Sequence, residues 1–312
     1  MFVCATDGHS LGHRAEGSGQ GLKAGDLPTT AINFSIRHAR ELILKGDVGR
    51  VIWLWDGPKS WRKDMYPEYK AQRGSDPASV QRRKNFKAQR PVIMRALKML
   101  SIDQAYSETS EADDLAGWYA FCLPRNGEQV LLETSDKDWL QLVSEDVVWH
   151  SSQHKLTVGN ANFGTETGCV SARQFVERKA LTGDASDNIK GVGGIGAKGA
   201  DDLLSTFGSV PNFISAYRAG GMGSVPAAWR RLAENQPNKH GLPTFDVFRR
   251  NVALMRLVRT APPDDLQEFP GEGVALDHFR ELCHECNFQS ILNEFDQWVE
   301  PFVEYAKKHT NQ

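Results

Sequence analysis

Residues 110–116 read Ser-Glu-Ala-Asp-Asp-Leu-Ala and place three carboxylates directly before an apolar run at residues 115–121. Acids followed by an apolar run are typical of the first turn of a helix, whose N-terminus carries partial positive charge. On such a helix Glu111 and Asp114 share one face, and Asp113 flanks them. Crowded carboxylates repel one another unless cations neutralise them, and Mg2+ is bound by such oxygens. These acids can therefore mark the start of a helix alone, or they can also form part of a metal site. Acids elsewhere in the chain decide between the two interpretations.

The composition indicates a globular protein without a membrane span. With 312 residues, 40% of them hydrophobic, the chain is long enough for one large or two ordinary domains. No apolar run approaches the length of a membrane span, and the N-terminus lacks the basic start of a signal peptide. Five scattered cysteines, an odd number, fit free thiols in a reducing compartment. We therefore expect a cytoplasmic protein.

The charges are unevenly distributed, although the net charge is only −2. Residues 58–98 contain 12 Lys and Arg against 3 Asp and Glu, whereas residues 101–146 contain 2 against 11. A basic segment next to an acidic one suits a site that holds both a polyanion and metal ions. The alternative is a pair of oppositely charged surfaces that serve solubility.

Acids follow each of three predicted strands in the N-terminal half. Apolar runs at residues 2–6, 51–55 and 129–134 are followed by Asp7, by Asp56, and by Asp136 and Asp138. Ligand sites of open α/β sheets lie at such strand ends. The Gly-rich segment at residues 8–28 is predicted as a loop, and helices are predicted near residues 29–45, 81–100 and 111–123. This alternation predicts an α/β fold with a mostly parallel central sheet flanked by helices.

The C-terminal half has a different pattern. A helix is predicted at residues 171–181, and residues 191–199 read Gly-Val-Gly-Gly-Ile-Gly-Ala-Lys-Gly. Glycines in such a hairpin let backbone N–H groups approach a phosphate closely. The remaining residues are predicted to be helical without a strong strand. We expect two regions, an α/β region at residues 1–165 and a helical region at residues 166–312.

A basic segment with interleaved aromatic residues suits a nucleic-acid surface, because rings stack on bases and cations contact phosphates. It covers residues 61–73, and a strongly basic helix start follows it. The residues that we expect to contact DNA here are Trp61, Arg62, Lys63, Arg82, Arg83 and Lys84.

Together these motifs resemble the flap endonuclease and 5′-nuclease family, especially its phage members and the 5′-nuclease domain of bacterial DNA polymerase I. The resemblance covers nearly the whole chain. The acids match the family in order and spacing, as Asp7, Asp56, Glu111-x-Asp113-Asp114, Asp136-x-Asp138 and Asp184-x-x-Asp187. The resemblance implies a PIN-like nuclease domain, a helical arch at about residues 58–100 and a helix-hairpin-helix DNA-binding element at about residues 183–208.

The family implies hydrolysis that depends on two Mg2+ or Mn2+ ions, which activate water and stabilise the leaving oxygen. We expect Asp7, Asp56 and Asp113 to bind the first ion, with Glu111 close by or acting through water. The second ion is expected at Asp136, Asp138 and Asp187, with Asp184 nearby. Asp114 is expected to bridge or support these sites.

The basic motifs of the family are also matched. Lys70 and Arg73, within Tyr69-Lys70-x-x-Arg73, are expected to stabilise charge on the scissile phosphate, with Tyr69 stacked on the adjacent base and Arg14 on the opposite wall. The duplex backbone is expected to contact the hairpin glycines and two flanking lysines, without sequence readout. These residues are Gly191, Gly193, Gly194, Gly196, Lys179 and Lys198. The family also implies a potassium ion at the hairpin.

The resemblance implies a structure-dependent 5′-3′ exonuclease and flap endonuclease that removes RNA primers or flaps during replication. The expected partner is DNA with 5′ flaps, overhangs or nicks, including RNA–DNA primers, bound by a monomer in a bacterium or a phage-infected cell. One alternative is a catalytically inactive protein that binds branched DNA, which Mg2+-dependent release of nucleotides would exclude. Another is a related RNA-cleaving nuclease, which the duplex-binding hairpin disfavours.

Overall fold

A computed structural model describes residues 1–74, 76–220 and 222–310 of the chain. The strands are β1 (Phe2–Asp7), β2 (Lys23–Ala24), β3 (Leu27–Pro28), β4 (Val48–Trp55), β5 (Asp103–Tyr106), β6 (Gln129–Glu133), β7 (Val147–Ser151), β8 (Leu156–Val158), β9 (Gly183–Asp184), β10 (Ile189–Lys190) and β11 (Gln267–Phe269). The first helices are α1 (Gly8–Gly17), α2 (Thr30–Leu44), α3 (Trp61–Met65), α4 (Pro77–Met99), α5 (Ala112–Arg125), α6 (Phe163–Thr167) and α7 (Ala172–Thr182). The remaining helices are α8 (Ala197–Phe207), α9 (Val210–Ala219), α10 (Ala227–Ala233), α11 (Thr244–Met255), α12 (Leu276–Glu285), α13 (Gln289–Leu292) and α14 (Phe295–Thr310). A 3-10 helix spans Lys137–Leu142.

Seven strands form the central sheet in the order β11-β5-β4-β1-β6-β7-β8. The five inner strands are parallel, whereas β8 and β11 pair in antiparallel fashion at the two edges. Asp7 lies beside Leu54 of β4, and Thr6 lies beside Glu133 of β6. The carboxyl ends of β1, β4 and β6 therefore meet at one edge. The predicted mostly parallel sheet is confirmed, and β11 adds a strand from a segment that was predicted to be helical.

Helices cover both faces of the sheet. One face buries Trp53, Trp55 and Leu97 beneath α2, α4 and the C-terminal helices, and the other buries Leu115 and Trp139. A third apolar cluster, which includes Leu203 and Phe213, holds the helical region together. Residues of α12 and α14 pack into the first of these cores. The C-terminal segment thus returns to the sheet and does not stay with the helical region.

Residues 8–17 form helix α1, so the loop predicted there is wrong for this part of the segment. The Asp7 carboxylate caps the helix by accepting a hydrogen bond of 2.9 Å from the Ser10 N–H. A Cβ atom added at Gly12 would stand only 2.0 Å from the Phe86 ring. The glycine that suggested a loop instead allows α1 to pack closely against α4.

The described residues of the helical region contain the predicted hairpin between α7 and α8. Gly193 and Gly194 have φ values of 93° and 79°, which favour glycine because other side chains are strained there. Within the described part of the chain, no helix is both long and apolar enough to cross a membrane.

Candidate active site

Carboxylates from five segments gather at the carboxyl edge of the sheet. Asp7 ends β1, Asp56 follows β4, Asp113 lies in the first turn of α5, and Asp136 follows β6. Asp7 interacts electrostatically with Asp56 and Asp136, and Asp113 interacts with both Asp136 and Asp7. Asp136 in turn interacts with Asp138 and with Asp187 from the loop after β9. The topology therefore brings together acids that are up to 180 residues apart in the sequence.

Asp7 is the most enclosed of these acids, with 5% of its surface exposed. Its carboxylate accepts hydrogen bonds from the Ser10 N–H and from the Thr134 hydroxyl, the latter at 3.0 Å. Burial and the nearby Asp56 carboxylate raise the pKa of Asp7 to about 7. Burial and the neighbouring carboxylates therefore outweigh the two hydrogen bonds, which favour the ionised form of Asp7.

Asp56 lies between α1 and α5. Its carboxylate accepts a hydrogen bond of 2.8 Å from the Ala112 N–H at the start of α5. Its own N–H donates to His9 Nδ1 at 3.1 Å, which leaves His9 Nε2 as the protonated nitrogen of a neutral ring. The hydrogen bond from Ala112 fixes the Asp56 carboxylate next to the helix that carries Asp113.

Asp113 and Asp136 each accept a hydrogen bond that fixes one carboxylate oxygen. Trp139 Nε1 donates to Asp113 Oδ1 at 2.7 Å, and the Asp138 N–H donates to Asp136 Oδ1 at 2.7 Å. Burial and the Asp136 carboxylate raise the pKa of Asp113 well above its usual range. Burial and the Asp138 carboxylate raise the pKa of Asp136 to about 6. At both side chains, burial and the neighbouring carboxylates outweigh the opposing effect of a nearby lysine, Lys70 for Asp113 and Lys179 for Asp136.

The remaining acids of the predicted second site are paired with cations. Lys179 Nζ forms ion pairs with Asp138 Oδ1 and, at 2.6 Å, with Asp184 Oδ2. Arg73 Nη2 lies 2.9 Å from Asp187 Oδ1. Lys179 was predicted to contact DNA beside the hairpin, but its ammonium points into the acidic cluster. The structure therefore places it with the predicted metal-binding residues.

Asp114 is bound by two arginines. Its oxygens accept hydrogen bonds from Arg62 Nη1 at 2.7 Å and from Arg62 Nη2 at 2.9 Å, and Arg259 Nη2 also donates to Oδ1. Arg62 is only 1% exposed and donates in addition to the Leu254 carbonyl at 2.8 Å. Both Asp114 oxygens are therefore engaged by arginines, which favours the predicted supporting role over the bridging role. The predicted DNA contact of Arg62 is wrong, because its guanidinium is buried.

Glu111 is surrounded by hydrogen-bond donors. It accepts from the Tyr69 hydroxyl at 2.9 Å, from Lys70 Nζ at 3.1 Å and from Arg62 Nη1 at 3.2 Å. Tyr69 is 2% exposed, so the predicted stacking on a base is wrong for this conformation, which offers no open ring face. Lys70 adopts a φ of 55°, and its N–H donates to the Asp187 carbonyl at 2.9 Å. This strained backbone directs the ammonium into the acidic cluster.

Two further predicted residues also lie elsewhere. Trp61 Nε1 donates to Asp114 Oδ2 at 3.3 Å, and the guanidinium groups of Arg62 and Arg259 lie 4.6 and 5.3 Å from the centre of its ring. Arg14 lies 4.8 Å from the Phe34 ring and interacts with Glu133 and Glu41 beneath α2. Trp61 therefore belongs to the base of the site. Arg14 does not form the predicted wall opposite Lys70.

The other predicted DNA-binding residues are at the surface. Lys63, Arg82 and Lys84 are exposed and Arg83 is half-buried, along α3 and the first turns of α4. Lys198 is 88% exposed and pairs with Asp202 on its own helix. The hairpin glycines Gly191, Gly193, Gly194 and Gly196 precede it at the start of α8. These residues remain candidate contacts for a nucleic-acid backbone.

The donor set fits hard divalent cations, although the acids do not form a closed cage. As the side chains are placed, no three His, Cys, Asp or Glu residues among those described enclose a position for one ion. Mg2+ keeps several of its waters and is usually bound by few carboxylates, so an open arrangement suits it. The raised pKa values of Asp7, Asp113 and Asp136 show carboxylates that a cation would stabilise.

Three residues that position the acids were not predicted. Trp139 fixes Asp113, Thr134 fixes Asp7, and Arg259 shares Asp114 with Arg62. Arg259 comes from a segment 145 residues after its partner, and no local pattern links the two. Trp139 directly follows Asp138, but an indole beside an acid is not a recognisable signal.

The chain matches two family models. Residues 3–168 match the 5′-3′ exonuclease N-terminal resolvase-like domain, and residues 170–241 match the 5′-3′ exonuclease C-terminal SAM fold. A 5′-3′ exonuclease of Mycoplasma pneumoniae is 31% identical over 222 residues, which cover 68% of this chain and 74% of the relative. A thermostable DNA polymerase I of Thermus filiformis is 34% identical over 304 residues, which cover 94% of this chain but 33% of the polymerase.

Solved structures share the fold at lower identity. The 5′-exonuclease of T5, in a structure with bound zinc, matches with a TM-score of 0.68 and 20% identity, covering 98% of this chain and 100% of that one. Flap endonuclease-1 from Methanococcus jannaschii matches with a TM-score of 0.62 and 15% identity, covering 99% and 93%. The two family models cover most of the sheet and the hairpin, and the chain belongs to the 5′-3′ exonuclease family.

Proposed function

We propose that this chain is a divalent-metal-dependent phosphodiesterase that hydrolyses DNA near 5′ ends and junctions, as a 5′-3′ exonuclease and flap endonuclease. The observation that carries the proposal is the convergence of Asp7, Asp56, Asp113 and Asp136 at one sheet edge, with raised pKa values at three of them. Two Mg2+ or Mn2+ ions held there would supply Lewis-acid chemistry, activating water and stabilising the leaving oxygen. The T5 relatives solved with divalent ions and with DNA support this assignment.

Each side chain has a distinct task in the proposal. Asp7, Asp56 and Asp113 hold one ion, with Glu111 beside them, and Asp136, Asp138 and Asp187 hold the other, with Asp184 nearby. Lys70 and Arg73 stabilise charge on the scissile phosphate once they are released from the carboxylates that they contact in the absence of DNA. Tyr69 and Arg62 orient Glu111 and do not contact the substrate.

The substrate is held by geometry and not by base readout. The exposed cations of α3 and α4 would bind a single-stranded 5′ segment, and the hairpin with Lys198 would bind the duplex backbone beyond the junction. The potassium ion at the hairpin, the removal of RNA primers or flaps in replication, and a monomeric state are part of the same proposal.

A labelled 5′-flap duplex tests the proposal directly. We expect short products to appear with Mg2+ or Mn2+ and to be absent with EDTA, and product sizing separates terminal from junction cleavage. Asp138→Asn or Asp187→Asn should abolish cleavage while flap binding stays measurable. A wild-type protein that binds the flap but never cuts it would establish the alternative, an inactive branched-DNA-binding protein. A matched RNA substrate that is cut in preference would point to the RNA-cleaving alternative.

A further inference from the structure

Lys179 occupies the position between two carboxylates that belong to the proposed second ion site. Its ammonium pairs with Asp138 from the 3-10 helix and lies 2.6 Å from Asp184 of β9. The lysine side chain is 21% exposed, and the Asp184 side chain is 12% exposed. Although burial works against it, the Lys179 ammonium lowers the pKa of Asp184 to about 2. In turn, the two carboxylates outweigh burial and raise the pKa of Lys179.

The ammonium is not needed to place the Asp184 carboxylate. Asp184 Oδ1 accepts hydrogen bonds of 2.8 and 2.5 Å from the Ser186 N–H and hydroxyl, and only Oδ2 is left for Lys179. The Asp138 backbone is fixed by its hydrogen bond to Asp136. The Asp184 carboxylate is thus positioned by its own segment, and Lys179 supplies the positive charge that both carboxylates contact.

We propose that Lys179 is the resident counter-cation of the second carboxylate pair, Asp138 and Asp184, and that a divalent ion binds there only by displacing its ammonium. The inference rests on the proposed function, because it concerns the second ion of the same site. An ammonium and a divalent ion at such short distances from the same oxygens would repel each other strongly. The displaced ammonium, carried on α7, becomes available for a phosphate of the DNA. Loading of the second ion and binding of the phosphate would then favour each other.

Titration calorimetry with Mn2+ in the absence of DNA tests this inference without any activity readout. We expect Lys179→Met to raise the affinity for the second Mn2+ ion by about tenfold or more, because a competing positive charge is removed. The affinity for the first ion should stay the same. The matched control is Lys198→Met, whose ammonium is exposed and pairs only with Asp202 on its own helix. Lys198→Met should leave the affinity for both Mn2+ ions unchanged. Unchanged or weaker Mn2+ binding by Lys179→Met would overturn the inference.

A second variant keeps the test decisive if Lys179→Met does not fold. Lys179→Arg retains the charge and adds a fork of donors that suits two carboxylates. It should therefore weaken binding of the second ion below the wild-type level, and equal or tighter binding would contradict the inference. Failure of this inference can be distinguished from failure of the proposed function. If the wild type cuts the flap but Lys179→Met binds Mn2+ with wild-type affinity, this inference alone is rejected. A wild type that binds two ions and never cuts rejects the proposed function alone.

Discussion

Arg62 and Asp114 form a bidentate ion pair inside the protein, with N···O distances of 2.7 and 2.9 Å. The pair joins the start of α5 to the base of α3, and Arg62 continues to the Leu254 carbonyl at the end of α11. Asp113, the preceding residue, faces the acidic cluster instead. The two adjacent aspartates therefore have different roles. Asp113 belongs to the proposed metal site, whereas Asp114 helps to hold α3, α5 and α11 together.

Arg62→Met should destabilise the fold by about 3 kcal/mol, because it leaves Asp114 with only part of its buried countercharge. The free energy of unfolding from a urea titration measures this effect. Lys63→Met is the matched control, since Lys63 is the exposed neighbour on the same helix, and it should change stability by less than about 0.5 kcal/mol. Equal effects of the two substitutions would show that the Arg62 pair does not anchor the site.

Trp139→Phe should weaken Mn2+ binding and flap cleavage by about tenfold, because the hydrogen bond that orients Asp113 is lost while the ring stays apolar. Calorimetry and initial rates measure the two quantities. Trp298→Phe, a similarly buried tryptophan in the C-terminal helices, should affect neither. If Trp139→Phe binds Mn2+ with unaltered affinity, Trp139 does not position Asp113 for metal binding.

Tyr69→Phe separates two roles of this residue. If the hydroxyl positions Glu111, as its bond of 2.9 Å indicates, the cleavage rate should fall several-fold while flap affinity stays within about twofold. If the ring instead stacked on a base, Phe would replace it without loss of rate. Tyr66→Phe, which removes a hydroxyl that contacts the exposed Glu68, serves as the control and should be silent.

The stability of the metal-free protein should depend on pH through Asp7. Its pKa of about 7 in the folded state lies above the ordinary value of about 3.9 expected in the unfolded chain. Between these values the folded protein holds a proton that the unfolded chain has released. The stabilisation is therefore present at low pH and is lost as pH rises through 7.

Asp7→Asn isolates this contribution, because His13 and the buried His38 have lowered pKa values and act in the opposite direction. Relative to that variant, the free energy of unfolding of the wild type in EDTA should fall by about 3 kcal/mol between pH 5 and pH 8, at roughly 1.4 kcal/mol for each of the two pH units below the pKa of Asp7. Urea unfolding at both pH values measures it. If the wild type instead gains stability relative to Asp7→Asn as the pH rises from 5 to 8, the pKa of Asp7 is not raised in the folded protein.

The sequence predicts β1, β4 and β6 well because each is a short apolar run that is followed by acids. It misassigns α1, since Gly8 and Gly12 are typical of a loop and their packing against Trp53 and Phe86 depends on distant parts of the chain. The sequence also provides no sign of β11, whose three exposed residues pair with β5 at the edge of the sheet.

The acids of the site were all identifiable from order and spacing, but their individual partners were not. Whether an acid faces a cation or another acid depends on side-chain direction, which a one-dimensional pattern does not contain. Asp113 and Asp114 differ for this reason, as do Lys179, directed into the cluster, and Lys198, directed to solvent. Burial of Tyr69 and Arg62 likewise depends on helices that come much later in the chain.

Under the proposed function, two divalent ions bind to the acids at the carboxyl edge of the sheet, among them Asp7, Asp56, Asp113 and Asp136. Anomalous diffraction from a crystal containing Mn2+ tests it most directly. We predict two manganese peaks at the carboxyl edge of the sheet, one beside Asp7, Asp56 and Asp113 and one beside Asp136, Asp138 and Asp187. Manganese peaks located only elsewhere, or none at this edge under conditions where the protein cuts a flap, would contradict the account.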